Sequence, residues 1–200
     1  MAENGGHIGE VRVGTFLTET GDMRISNNWW LSEFVKSGDE LCRALESDIV
    51  DPIGWSMSMC KTVSRVIAAA YQLPIIENAV DAVDDEDIDA ISREEWRQVY
   101  ERVSKAFRER TCYWTFLQSD SDEDRVAGKG ELVSGSLGDD LADIYDALKP
   151  ILSVWRRQPE LLNDSLVNSI RDSFEATWWI DASAALRILH RIGFGIKGPL

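Results

Sequence analysis

Apolar residues recur at spacings of three, four and seven along most of this 200-residue chain, a period that suits amphipathic helices and not strands with one solvated face. From Asn28 onward Leu31, Phe34, Val35, Leu41, Cys42 and Leu45 mark a first helix, capped by Asn27 or Asn28. Asp51-Pro52 opens a second, with a carboxylate N-cap and a proline in the first turn. Its expected buried stripe is Ile53, Met57, Cys60, Val63, Ile67 and Tyr71, and Pro74 stops it. Ser92-Arg93-Glu94-Glu95 is a capping box, and Trp96, Val99, Tyr100, Val103, Phe107 and Trp114 continue from it as a long third helix.

Ser136 and Asp139 start a fourth helix, carrying Leu137, Leu141, Ile144, Tyr145, Leu148 and Leu152. Pro150 is expected to kink or split it, because proline lacks the N–H and crowds the preceding turn. A last helical stretch runs over about 161–192. Between these lie an acidic connector over 77–91, centred on Asp84-Asp85-Glu86-Asp87, and a polar loop over 118–135. The expectation is an all-α, single-domain bundle of five to six helices over residues 27–192. An N-terminal arm or short hairpin (1–26) precedes it and a glycine-rich tail (193–200) follows.

The net charge of −14 is unevenly placed. Residues 1–149 hold 30 acidic and 15 basic side chains, and residues 150–200 hold 5 and 6. Such a surface repels phosphate backbones and anionic membranes, so neither nucleic acid nor membrane is expected as a partner. Basic proteins and cations are favoured. The longest apolar run, Val66 to Tyr71, falls far short of the roughly 20 residues that span a bilayer. Glu3 and Glu10 stand where a leader would need an apolar stretch. Three cysteines without metal-like spacing suit free thiols, and the expected location is cytoplasmic.

Four motifs carry chemistry on paper. Gly193-Phe-Gly195-Ile-Lys-Gly198 matches a dinucleotide fingerprint but lacks the following helix that would receive a pyrophosphate. Asp120 to Glu131 matches several positions of a calcium loop, yet Arg125 occupies the position of the turn glycine, so a solvated acidic loop is expected. Asp139-Asp140-Leu-Ala-Asp143, followed by Asp146, places carboxylates three and four residues apart on one helix face. That arrangement can hold a divalent cation against a diphosphate, although acidic residues in a first turn also suit the helix dipole. Eight tryptophans include the pairs Trp29-Trp30 and Trp178-Trp179. Neighbours on a helix diverge by about 100°, so one of each pair is expected at a boundary or on the surface, where aromatic residues anchor partners. Nucleophilic catalysis has little support, since the only histidines are His7 and His190.

The segments Leu137 to Lys149 and Phe174 to His190 resemble the bacterial domain-of-unknown-function family 5063, and Trp96 to Phe116, with Tyr113-Trp114, is similar too. The likeness covers roughly residues 30–190. It implies a small helical cytoplasmic bacterial protein and carries no established activity. In that family the last helix often reads His-Trp-Gly-x-His before an Ala-Leu-Arg-x-Leu-His ending. Here Phe174, Glu175, Trp178 and His190 match, while Thr177 and Asp181 replace the two leading histidines. Any site those histidines serve is altered, although Asp181 would be a harder cation ligand than imidazole.

Two functions follow from these features. The first is a non-enzymatic protein-interaction module, of the immunity or antitoxin kind, with Trp29, Trp30, Trp178 and Trp179 as candidate contacts for a basic protein partner and no cofactor. The alternative is a divalent-metal-dependent enzyme acting on a phosphorylated small molecule. Asp140, Asp143 and Glu175 would hold the cation and His190 would be the candidate acid or base.

Overall fold

The computed structural model describes residues 29–76, 90–108, 112–118, 130–157 and 164–196. The expected N-terminal arm, most of the acidic connector, most of the calcium-loop match and the end of the tail lie outside them.

Helices α1 (Trp29–Glu46) and α2 (Pro52–Ala70) form an antiparallel pair. Asp51 caps α2 by accepting from the Ile53 N–H at 3.2 Å. The Arg65 guanidinium reaches Glu33 and Glu40, which lie two turns apart on α1. At the other end of the pair, Trp55 Nε1 donates to the Ala44 carbonyl at 3.4 Å. The buried face of α2 is Ser56, Met59, Val63, Val66, Ala69 and Ala70, which corrects the expected stripe by about one residue, or 100°. Ile53, Met57 and Tyr71 are exposed as a result. Both α1 and α6 pack on α2, and small or slender side chains permit that double approach.

Helix α3 (Arg93–Phe107) begins at the expected capping box, with Ser92 Oγ accepting from Glu95 N and the Glu95 carboxylate accepting from Ser92 N. It ends earlier than expected. Arg108 takes φ 51°, a left-handed value that breaks the helical path. The chain then forms an antiparallel hairpin of β1 (Cys112–Gln118) and β2 (Gly130–Ser136), which corrects the expectation of no internal strand and of a helix reaching Trp114. The run Cys-Tyr-Trp-Thr-Phe-Leu-Gln is rich in aromatic and β-branched residues that favour strands.

Helix α4 (Leu137–Arg157) follows β2 without a loop, and Ser136 Oγ accepts from the Asp139 N–H at 3.1 Å. Pro150 lies inside α4 and neither splits nor ends it. Twelve of its 21 residues are buried, and it packs against α1, α3 and α6, which makes it the centre of the bundle. Helix α5 (Asp164–Ser173) passes through a π-helical turn (Phe174–Trp178) into α6 (Trp179–Gly193), so the expected last helix is continuous but changes register. Among the described residues the architecture is therefore a helical bundle with one small hairpin, held by a core that runs from Leu31 and Phe34 to Ile188 and Leu189.

Candidate functional site

The first three turns of α4 carry Asp139, Asp140, Asp143 and Asp146, and the fold gives each a different environment. Asp139 belongs to the cap, accepting from Ser136 Oγ at 2.8 Å. Asp140 is only 6% exposed, a rare position for a carboxylate. The Tyr113 hydroxyl donates to it, 2.7 and 2.9 Å from its two oxygens. Burial pushes the Asp140 carboxyl up to about 7. The charges of Asp181, Asp139 and Asp143 act in the same direction, and the Tyr113 hydrogen bond opposes them.

Tyr113 reaches this place because β1 pairs it with Gly135 of β2, whose missing side chain leaves room for the phenol ring. Its own hydroxyl is pushed up, first by burial and then by the Asp140 carboxylate, while Arg187 of α6 pulls the other way. The Arg187 guanidinium lies 5.4 Å from the centre of the Tyr113 ring, a cation–π contact. Asp181, in the first turn of α6, is raised to about 6 by burial and then by the charge of Asp143. Asp143 accepts from Trp96 Nε1 of α3 at 2.8 Å, and the Trp96 ring stacks on Tyr100. Burial and Asp143 also raise Asp146. A group of interacting carboxyls therefore sits where α3, α4, α6 and β1 meet, with Asp140 raised to about 7 and Asp181 to about 6.

Of the residues singled out from sequence, Asp140 and Asp143 belong to this group. Glu175 stands apart, half-exposed on the π turn and paired with Arg171 at 2.8 Å. Asp181, Tyr113, Trp96 and Arg187 complete the group instead. Among the described residues, no three His, Cys, Asp or Glu side chains stand in an arrangement suited to hold a metal ion. His190 is exposed near the end of α6, its ring 4.5 Å from that of Phe194. It lies nine residues from Asp181, roughly 13 Å along the helix axis, and so on a different part of the molecule.

The tryptophan pairs divide. Trp29 is 65% exposed while Trp30 packs on the core, and Trp179 is 40% exposed while Trp178 is 2% exposed. Trp178 is therefore a core residue rather than a contact, set against Phe174 at 4.6 Å, and its indole N–H finds no partner among the described residues. Tyr71 packs edge-on against Phe174 at 4.9 Å, which brings the end of α2 to the π turn that leads into α6. Since α1 runs antiparallel to α2, Trp29 stands at that same end of the bundle. Exposed Trp29, Tyr71, Ile75, Trp179 and Ile180 thus lie toward this end, which holds the exposed tryptophans, while Val50, Ile53, Met57, Phe194 and Ile196 are exposed toward the other.

These features define a helical bundle with a charged, partly buried centre on α4 and an aromatic end. The family model of a domain of unknown function, DUF5063, matches residues 27–194, and the chain belongs to that family. Among solved structures, the crystal structure of protein BF1032 from Bacteroides fragilis is similar over 86% of this chain and 96% of its own, with a TM-score of 0.64. At 21% identity that likeness shows a shared fold. Comparison with curated proteins gave no match. Among the described residues no helix is long and apolar enough to cross a membrane.

Proposed function

We propose that this protein is an interaction module of the bacterial cytoplasm, which presents the aromatic end of its bundle to a protein partner. The observation that carries this reading is the collection of Trp29, Tyr71, Ile75, Trp179 and Ile180 at one end, each at least 40% exposed. Exposed aromatic residues gathered together serve as binding anchors, whereas single exposed apolar residues are ordinary. The net charge of −14 favours a basic partner, as an immunity or antitoxin-like protein would have. The test is affinity capture from a bacterial lysate with the wild type and with Trp29→Ser/Trp179→Ser, both checked for unchanged helical circular dichroism. A basic protein retained by the wild type and lost from the variant is expected. Equal capture by the two, or none by either, would remove the reading.

A second reading, a divalent-metal-dependent enzyme, is favoured by one observation: Asp139, Asp143 and Asp181 all raise Asp140, a repulsion that a bound cation would relieve. Thermal unfolding with Mg²⁺, Mn²⁺ or EDTA discriminates the two functions, because a ligand of the folded state raises the midpoint by mass action. The enzyme reading requires an ion-specific rise that Asp140→Asn/Asp143→Asn abolishes. Identical midpoints in EDTA and in either ion would exclude it.

A further inference from the structure

The hairpin has an open side that neither reading uses. Strand β1 pairs with β2 along its full length, and among the described residues no strand lies on its other edge. Helix α4 packs on β2, whereas no described helix packs on β1 to the same extent. Alternate residues of an edge strand aim their backbone N–H and C=O groups away from the partner strand. Folded proteins usually protect such an edge with charge, proline or a bulge. The sequence of β1, Cys-Tyr-Trp-Thr-Phe-Leu-Gln, has neither charge nor proline, and its register with β2 runs without a bulge. A ribbon of two strands is also marginal by itself, and a third strand stabilises it.

The two faces of the ribbon differ. Tyr113 points inward to Asp140, opposite Gly135, while Trp114 and Leu132 are exposed on the other face. Trp114 pairs with Ser134 and Leu132 with Phe116, so Trp114 and Leu132 are diagonal neighbours. They form an apolar ledge beside the open edge, against which the side chains of an added strand would pack. Cys112 is paired with Ser136, the residue before α4, so one end of the edge lies at the acidic start of that helix. Asp143 and Asp146 are exposed there, and Asp181 of α6 is half-buried. Arg187 over the Tyr113 ring offsets one of these charges, and Arg108 lies toward Asp51 at the start of α2. A second copy of the chain would bring −14 up to −14 and be repelled, whereas a segment carrying positive charge is attracted.

We propose that the outer edge of β1 takes up an extended segment of a partner chain as a third strand, with β-branched residues alongside Trp114 and basic residues at the end beside α4. Backbone hydrogen bonds hold such a strand, and its alternate side chains set specificity. This surface is separate from the aromatic end and does not depend on it. The probe is a labelled heptapeptide of alternating threonine and valine that ends in two lysines, into which the full chain is titrated while fluorescence anisotropy is followed. Saturable binding at one peptide per chain is expected, and its absence would overturn the site. N-methylation of alternate amides keeps the charge and side chains but removes donors from one edge of the peptide. Of the two phases of methylation, the one facing β1 should lose binding, and equal binding of both would overturn strand addition. A version ending in two glutamates should bind about tenfold more weakly or worse, and equal binding would overturn the basic occupant. Trp114→Thr keeps a strand-forming residue and should weaken the lysine peptide about two- to fivefold, the worth of one cross-strand aromatic contact, with unchanged circular dichroism. No weakening would overturn the placement on β1. In sedimentation equilibrium the chain by itself should be a monomer, and a dimer that Trp114→Thr dissociates would overturn the partner segment in favour of a second copy.

Discussion

Asp140→Asn is expected to stabilise the protein at pH 8 and to remove most of a fall in stability between pH 5 and pH 8. In the unfolded chain an aspartate titrates at about 3.9. In the folded protein burial places Asp140 at about 7. Below pH 4 both states carry the proton and the site costs nothing. Between pH 4 and 7 the folded protein keeps a proton that the unfolded chain has released, so stability falls as pH rises. Above pH 7 the whole difference is lost, about 4 kcal/mol for a shift of this size. Asparagine has nearly the same shape, still accepts from the Tyr113 hydroxyl, and carries no charge to desolvate. Asp181, raised to about 6, contributes a smaller fall of the same sign that the variant retains. Groups with lowered values, such as Glu46 beside Lys149 and Tyr145, act oppositely and lose their contribution only as the solution becomes more acidic. Urea denaturation of both proteins at pH 5, 6, 7 and 8 measures this. Parallel curves for wild type and variant would mean that Asp140 is not the titrating group.

How much of this was legible in the sequence depended on how local the cause was. The caps at Asp51 and Ser92 act over two or three residues, and they stand where the sequence placed them. The end of α3 was misread because Trp114 falls seven residues after Phe107 and so fits the helical spacing by coincidence. What stops the helix is the backbone of Arg108, which no side-chain period reports. The spacing of the apolar residues of α2 fits two neighbouring faces, and periodicity alone does not choose between them. Packing by two helices instead selects Ser56, Ala69 and Ala70, and leaves Ile53 in solvent.

The site shows the same division. Asp140 and Asp143 were legible because their spacing is a helical fact. Tyr113 lies 27 residues away, and its hydrogen bond to Asp140 depends on a strand the helical reading had absorbed. The choice between Glu175 and Asp181 turned on a π turn, which inserts a register shift between them that a constant period of 3.6 residues cannot represent. The aromatic run at β1 and the glycine at 135 were the available signals for a hairpin that delivers a tyrosine.

That glycine gives the second large effect. In Gly135→Ala the new Cβ would lie 2.5 Å from Cζ and 2.6 Å from the hydroxyl oxygen of Tyr113, too close for either atom to stay. The ring cannot simply yield, because its hydroxyl is bound to Asp140 and its face lies against Arg187. Overpacking costs about 1–3 kcal/mol. Separating a buried hydroxyl from its buried carboxylate adds about 1–3 kcal/mol, so a destabilisation of roughly 2–6 kcal/mol is expected. Losing the Tyr113 donor also removes the one contact that holds Asp140 down, so the decline of stability with pH should extend further into the alkaline range than in the wild type. The same substitution in a Tyr113→Ala background should cost little, because the ring it strikes is gone. Denaturation of the four proteins closes a double-mutant cycle, and a coupling energy of several kcal/mol is expected. An equal cost of Gly135→Ala in both backgrounds would place the strain in the β2 backbone and not in the delivery of Tyr113 to Asp140.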